Sequence, residues 1–166
     1  MAEWMNNMLE LLRLLEKDCT LTNAQMAAML GRTEDEIADA VGDYKTKGVI
    51  LRYKAVIDWE KTDVEMVTAL IDVKVTPQRG EGFDRVAARI YQYDEVESLY
   101  LMSGGYDLSV LISGRTMKDV ALFVAEKLAP MDAVTGTATH FLLKKYKDGG
   151  TIFEPLPPQQ ERILMV

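Results

Sequence analysis

Two capped helices on either side of one glycine constrain this chain more than any other stretch, and both lie within residues 20–57. Thr22 stands three residues before Gln25, and Thr33 stands three before Glu36. In each pair the hydroxyl can accept from the N3 amide while the longer side chain reaches back to the N–H of the cap. Gly31 falls between the helices, where a left-handed C′ residue is needed. Lys47-Gly48-Val49-Ile50 then ends the second helix and opens an extended run over 49–58, expected to serve as wing and connector. A helix-turn-helix followed by a wing-like strand is the layout of many DNA-reading domains. The spacing also predicts an earlier amphipathic helix over 3–17, with Met5, Met8, Leu9, Leu12 and Leu15 inward. Met26, Ala27 and Leu30, together with Ile37, Val41 and Tyr44, would complete one small core.

The helix placed to read DNA is acidic. It carries Glu34, Asp35, Glu36, Asp39 and Asp43 against Lys45 and Lys47. The whole chain has 19 basic and 26 acidic residues and a net charge of −7, so overall charge cannot supply affinity for phosphate. Asp39 and Asp43, one helical turn apart, form a solvated face or, in a groove, repel phosphates. The cations available for phosphates are Arg32, Lys45, Lys47, Arg52 and Lys54, which flank the helix.

The second half has a different rhythm. Residues 66–76 alternate as a strand, with Val67, Ala69, Ile71, Val73 and Val75 on one face. Pro77-Gln78-Arg79-Gly80 is a turn cluster. A helix over 83–91 follows, with Phe83, Val86, Ala87 and Ile90 inward, then a strand over 96–102. Gly104-Gly105 is expected to make a tight hairpin turn, with glycine supplying positive φ. A returning strand over 107–112, a helix over 117–128 and a last strand over 134–146 complete the order βαββαβ. That order implies a four-stranded antiparallel sheet with two helices on one face, the ferredoxin-like arrangement, and hence an α+β chain. The other sheet face is expected to be apolar and covered by a second copy. After Lys147 the chain becomes polar and Pro-rich, with Pro155, Pro157 and Pro158 before an apolar tip, Ile163-Leu164-Met165-Val166. The expected organisation is therefore a winged helix-turn-helix over 1–58, a βαββαβ domain over 59–147 and a tail over 148–166.

Apolar residues at 48% and charged residues at 27% fall in the globular range. The single Cys19 excludes an intrachain disulfide and is read as a small packing residue. His140, the one histidine, is likewise read as packing, so neither a metal site nor a cofactor is expected. Tyr91, Tyr93, Tyr100 and Tyr106 are read as core or interface. No Ser/His/Asp set, phosphate loop or dinucleotide fingerprint occurs, so no enzyme is expected. With no signal-like N-terminus and no membrane-length apolar run, the expected place is the cytoplasm, away from the membrane.

Lys47-Gly48-Val49-Ile50, Tyr53-Lys54-Ala55-Val56-Ile57-Asp58, Asp94-Glu95-Val96, Ser103-Gly104-Gly105-Tyr106-Asp107-Leu108 and Thr137-Ala138-Thr139 occur in this order. Together they make the chain resemble the Lrp/AsnC family, the leucine- and asparagine-responsive regulators, over roughly residues 8–147. The resemblance implies contact with double-stranded DNA through the helix starting at Thr33. It also implies a dimer formed through the sheets, often assembled into an octamer. A small effector, commonly an amino acid, would bind between subunits. Carried onto this chain, the effector loop is Ser103, Gly104, Gly105, Tyr106 and Asp107, with Thr137 and Thr139 adding contacts. Members of the family often carry Arg or Lys where this chain has Asp39, Ala40, Gly42 and Asp43, which puts tight binding by one monomer in doubt. An alternative is an effector-binding interaction module with little DNA contact. A further one is an enzyme like the sirohaem decarboxylases, against which the lone histidine argues.

On the bare residues, the Gly-Gly-Tyr-Asp stretch is read first as an ordinary hairpin, and it is the resemblance that turns the reading towards a ligand. The physical case for a ligand there is that glycine admits close approach, amides can take a carboxylate and Asp107 can take an ammonium.

Overall fold

Both expected capping boxes form, and they fix the starts of the second and third helices. The computed structural model describes residues 2–76 and 82–154, residues 2–8 by backbone alone. The chain divides between Ala55 and Val56 into two compact units, where sequence suggested a boundary after Asp58. In the first unit α1 is Ala2–Lys17, α2 is Asn23–Leu30 and α3 is Glu34–Thr46. Thr22 and Thr33 cap α2 and α3 with reciprocal bonds to Gln25 and Glu36. Gly31, at φ 63°, supplies the left-handed residue that closes α2. The end of α3 is a Schellman closure: Gly48 N–H donates to Lys45 O at 3.1 Å and Val49 N–H to Tyr44 O at 2.8 Å.

The core of this unit is Leu11, Leu15, Met26, Ala27, Ile37 and Ala40, with Leu21, Leu30, Val41, Tyr44 and Ile50 packed against it. It differs from the expected core in three places, the first being Leu12, which is half-buried and outside this cluster. Leu9 is exposed and Leu11 is buried in its place, because Leu11 and Leu15 share the inward stripe one turn apart. Ala40, grouped by sequence with the DNA-reading positions, lies inside. Met5 and Met8 fall outside the described side chains.

The expected wing is absent from the described chain. Residues 51–58 form neither helix nor strand, and Leu51 is 87% exposed. A segment becomes a ladder only when a second backbone presents its N–H and C=O groups, and no other described strand does so here. A short 3-10 turn, Trp59–Lys61, follows.

The second unit contains β1 (Val67–Val75), α4 (Gly82–Ile90), β2 (Val96–Leu101), β3 (Leu108–Gly114), α5 (Met117–Phe123) and β4 (Val134–Phe141). The sheet order is β2-β3-β1-β4, antiparallel throughout, which is the expected βαββαβ arrangement. Ala69, Ile71, Val73, Val75, Leu108, Val110 and Ile112 pack with Val86, Ile90, Val120, Phe123 and Leu128 to form the core. After α5 the chain widens into a π-helix, Val124–Leu128. This places the Lys127 ammonium 4.8 Å from the Tyr93 ring centre and 2.5 Å from Glu95 Oε1. That ammonium holds the Glu95 carboxyl below the usual carboxylate range, with a backbone hydrogen bond adding to it.

Strand register places Leu70, Asp72 and Lys74 of β1, Ser109, Leu111 and Ser113 of β3, Ser98 and Tyr100 of β2, and Ala138 and His140 of β4 on the opposite, helix-free face. This face is mixed rather than apolar as expected, because Leu70, Leu111 and Ala138 share it with Asp72, Lys74, His140 and the serines. His140 is exposed on it instead of packed inside, since its neighbours Thr139 and Phe141 take the core-facing parity. Cys19, expected to pack, is also exposed. Tyr91 and Tyr100 are exposed, and Tyr93 packs edge-on to Phe123 at 85°. β4 ends at Phe141, short of its expected reach to residue 146. Beyond it, β5 (Lys147–Asp148) and β6 (Thr151–Ile152) form a hairpin through Gly149 and Gly150, both at positive φ. The tail therefore opens on structure. Its Pro-rich part and apolar tip, 155–166, and the Pro77-Gln78-Arg79-Gly80 cluster lie outside the described residues.

Candidate nucleic-acid interface and effector loop

The candidate DNA contacts gather around the two ends of α3. At its start, Thr33 is occupied by capping: its Oγ1 accepts from Glu36 N–H at 3.3 Å, and its own N–H donates to Glu36 Oε2 at 3.0 Å. Arg32 reaches the same carboxylate, with Nη1 3.8 Å from Glu36 Oε1. Glu36 thus holds both residues at the N-terminal end, a use that the capping-box spacing foreshadows only for Thr33.

At the other end the cations are less committed. Lys47 Nζ donates to Asp43 Oδ2 at 3.0 Å, but both side chains are about two-thirds exposed, 67% and 70%. A pair that open is worth little in water and can exchange for a phosphate. Lys45 Nζ sits 5.1 Å from the Tyr53 ring centre, which brings the 51–58 segment back to the end of the helix. Arg52 and Lys54 lie on that segment, exposed, with no hydrogen bond or ion pair among the described residues. Lys45, Lys47, Arg52 and Lys54 therefore share the C-terminal end of α3, and Arg32 stands apart.

Between them, α3 presents Glu34, Asp35, Glu36, Asp39 and Asp43 to solvent. Gly42 lies on the same exposed side, and a Cβ added there meets nothing within 4 Å. Nothing among the described residues requires a glycine at that point.

The loop between β2 and β3 spans 102–107 and is not the tight two-glycine turn expected. Met102 N–H donates to Asp107 O at 2.8 Å and closes it. Neither Gly104 nor Gly105 has positive φ, because six residues can reverse the chain without it. A Cβ at either glycine would also meet nothing within 4 Å. Ser103, Gly104, Gly105 and Tyr106 are exposed.

Asp107 anchors this loop to β1. Its N–H donates to Val73 O at 3.1 Å, and its Oδ2 accepts from Val75 N–H at 2.8 Å. Lys74 Nζ lies 3.4 Å from the same oxygen. The Val75 amide, followed by Lys74, holds the Asp107 carboxyl below the usual carboxylate range against a smaller opposing effect of burial. Sequence reasoning missed these partners because the nearest of them, Val75, stands 32 residues upstream, beyond any local pattern.

Thr137 and Thr139 pair across β4 with Val73 and Ile71 and share their helix-facing side. They flank β1 on the side opposite the loop. Two interstrand spacings, about 10 Å, therefore separate Thr137 from the Leu108 end of the loop. Ser103 to Asp107 form one continuous patch, and the threonines are not part of it within a single chain.

Comparison with known proteins gives these two regions a context. Residues 68–152 match the Lrp/AsnC ligand binding domain. The chain is 51% identical over 146 residues to the HTH-type transcriptional regulator YugG of Bacillus subtilis, covering 87% of this chain and 88% of that one. It is 28% identical to the HTH-type transcriptional regulator LrpA of Pyrococcus horikoshii, over 82% of this chain and 94% of that protein. Among solved structures, a transcriptional regulator of Neisseria meningitidis in complex with L-Met has a TM-score of 0.71 at 20% identity, covering 86% of this chain and 91% of that one. AsnC of E. coli has a TM-score of 0.66 at 18% identity, covering 84% and 92%.

Proposed function

The chain belongs to the Lrp/AsnC family of transcriptional regulators, and from that premise we propose that it is an oligomeric, amino-acid-responsive one acting on metabolic genes. Copies pair through the helix-free face of the sheet and assemble further. The N-terminal unit approaches double-stranded DNA with α3, and the cations at its C-terminal end grip phosphates. Each contact is weak because five carboxylates share that helix, so avidity across the oligomer supplies the affinity. No catalytic chemistry is assigned.

The effector half rests on one observation. Gly104 and Gly105 are required neither by backbone conformation nor by packing among the described residues. Glycine is then explained by something that comes close from outside. The loop amides suit a carboxylate, and Asp107 Oδ1, which no described residue engages, suits an ammonium. The L-Met complex of the Neisseria regulator is consistent with a ligand of this kind.

Calorimetry against the standard amino acids, on wild type and Gly104→Val, tests the effector. Binding by wild type and its loss in a folded variant is the expected result. Absence of binding by every amino acid would leave the loop a structural turn. Binding to genomic fragments over a salt series, with and without the bound amino acid, tests the DNA half. The exposed acidic face of α3 favours a second reading, a module that acts through protein partners, and salt-insensitive or absent DNA binding would select it.

A further inference from the structure

The ion pair beside the effector loop has a setting that an ordinary surface pair does not need. Lys74 Nζ lies 3.4 Å from Asp107 Oδ2, with side chains 46% and 20% exposed. The carboxylate is fixed without the lysine, because Val75 N–H donates to the same oxygen at 2.8 Å. Asp107 Oδ1 has no partner among the described residues. An ammonium can donate more than once, and Lys74 meets one carboxylate oxygen among the described residues. Each half of the pair therefore keeps bonding capacity in hand.

The backbone around Lys74 departs from the regular ladder. Lys74 pairs with Gly136 of β4 and Val75 pairs with Val134, so Thr135 is an extra residue on that strand. The Thr135 hydroxyl donates to Lys74 O at 3.3 Å. A bulge of this kind bends the strand and re-aims the side chains beside it. Gly136 then stands next to Lys74 with no side chain. Its φ is not positive, and a Cβ there would meet Lys74 Cβ at 3.8 Å, an ordinary contact. Neither backbone conformation nor packing among the described residues asks for glycine at this point. What glycine leaves is room on one flank of the lysine, where a larger residue would cover its stem. Across the sheet the order is Asp107, Lys74, Gly136: a fixed negative charge, a positive charge and an open position.

An amino acid carries a carboxylate and an ammonium on one carbon. We propose that Lys74 is the residue that takes the carboxylate of the effector, while Asp107 Oδ1 takes its ammonium and Gly136 leaves the space through which the ligand reaches the lysine. This extends the site from the loop across β1 to β4, and it rests on the reading that an amino acid binds at the loop. The loop amides and Lys74 can act together, because a carboxylate has two oxygens to offer. The existing pair opposes the ligand little. A pair this open is worth little in water, and the ligand brings a counter-charge for each half. The two opposed charges also select the zwitterion. An acid without the ammonium leaves Asp107 facing a like charge, and an amine without the carboxylate does the same to Lys74.

The test is calorimetry of the full chain with the tightest binder among the standard amino acids and with the carboxamide of that amino acid, which keeps the ammonium and lacks the negative charge. Wild type should prefer the acid by roughly tenfold or more, the effect of a hydrogen bond to a charged group. Lys74→Met should lose that preference by weakening on the acid and holding on the amide. Lys74→Arg, which keeps the cation, should retain it. Gly136→Val should weaken both ligands together, with the fold retained by circular dichroism. A lysine that only steadied Asp107 would weaken both ligands alike in Lys74→Met and leave the preference unchanged. That result, a wild type that binds acid and amide equally, or a Gly136→Val that binds as wild type overturns the proposal and leaves an amino acid held by the loop alone. Binding of no amino acid by wild type overturns both.

Discussion

Gly31 and Gly42 offer a controlled pair of substitutions in one small unit. Each accepts a Cβ that meets nothing within 4 Å, so packing is removed from the comparison. They differ in backbone. Gly31 closes α2 at φ 63° and ψ 40°, and Gly42 lies inside α3. At Gly42, alanine should stabilise by about 0.8–1 kcal/mol, the difference in helix propensity. At Gly31, the left-handed conformation costs a non-glycine residue about 1–2 kcal/mol. Lower entropy of the unfolded chain returns roughly 0.4–1 kcal/mol of that. Gly31→Ala should therefore lose about 1 kcal/mol, leaving the two single-methyl variants about 2 kcal/mol apart with opposite signs. Urea unfolding followed by far-UV circular dichroism, with amide exchange in α2 and α3 to isolate this unit, gives both values. A destabilised Gly42→Ala, or a neutral Gly31→Ala, would refute the reasoning.

The remaining expectations concern charge and burial. Reversing Asp39 and Asp43 to Lys should tighten DNA binding and steepen its dependence on log salt by about 1.8, for two added phosphate contacts. Weaker binding, measured by fluorescence anisotropy, would mean the carboxylates read bases. Ala40→Arg should cost about 1–3 kcal/mol by overfilling the core without strengthening DNA contact, checked by urea unfolding and the same anisotropy series. The Asp107 carboxyl is held low by the Val75 amide and Lys74, so its contribution is present above the usual value of 3.8 and lost as pH falls through its lowered folded value. The Val75 amide resonance should accordingly stay fixed from pH 7 to 5 and move only in more acid solution. Movement near neutrality would show that the bond is not the one described.

What the sequence made legible was local. Thr22 with Gln25 and Thr33 with Glu36 fixed two helix starts because a capping box needs only four consecutive residues. The parity of residues 67–75 located the core face of β1 for a similar reason. Ala40 was misplaced because alanine is small enough for either side of a helix and carries no sign of which one it takes. His140 could have been placed correctly by following the alternation from Phe141. The anchoring of Asp107 could not, since Val75 is brought to it by sheet pairing. The glycines at 104 and 105 misled because the residue type permits positive φ without demanding it.

The three bonds of Asp107 have a consequence for how a ligand would be received. The carbonyl closes the loop on Met102, the amide ties it to Val73, and the carboxylate ties it to Val75. A loop tethered at one residue through main chain and side chain has few conformations left to surrender. A small molecule binding there gives up its own freedom but little of the protein's, and the attraction survives as affinity. The same tethers mean that any displacement the ligand does impose is delivered straight to the end of β1, the strand against which both β3 and β4 are registered.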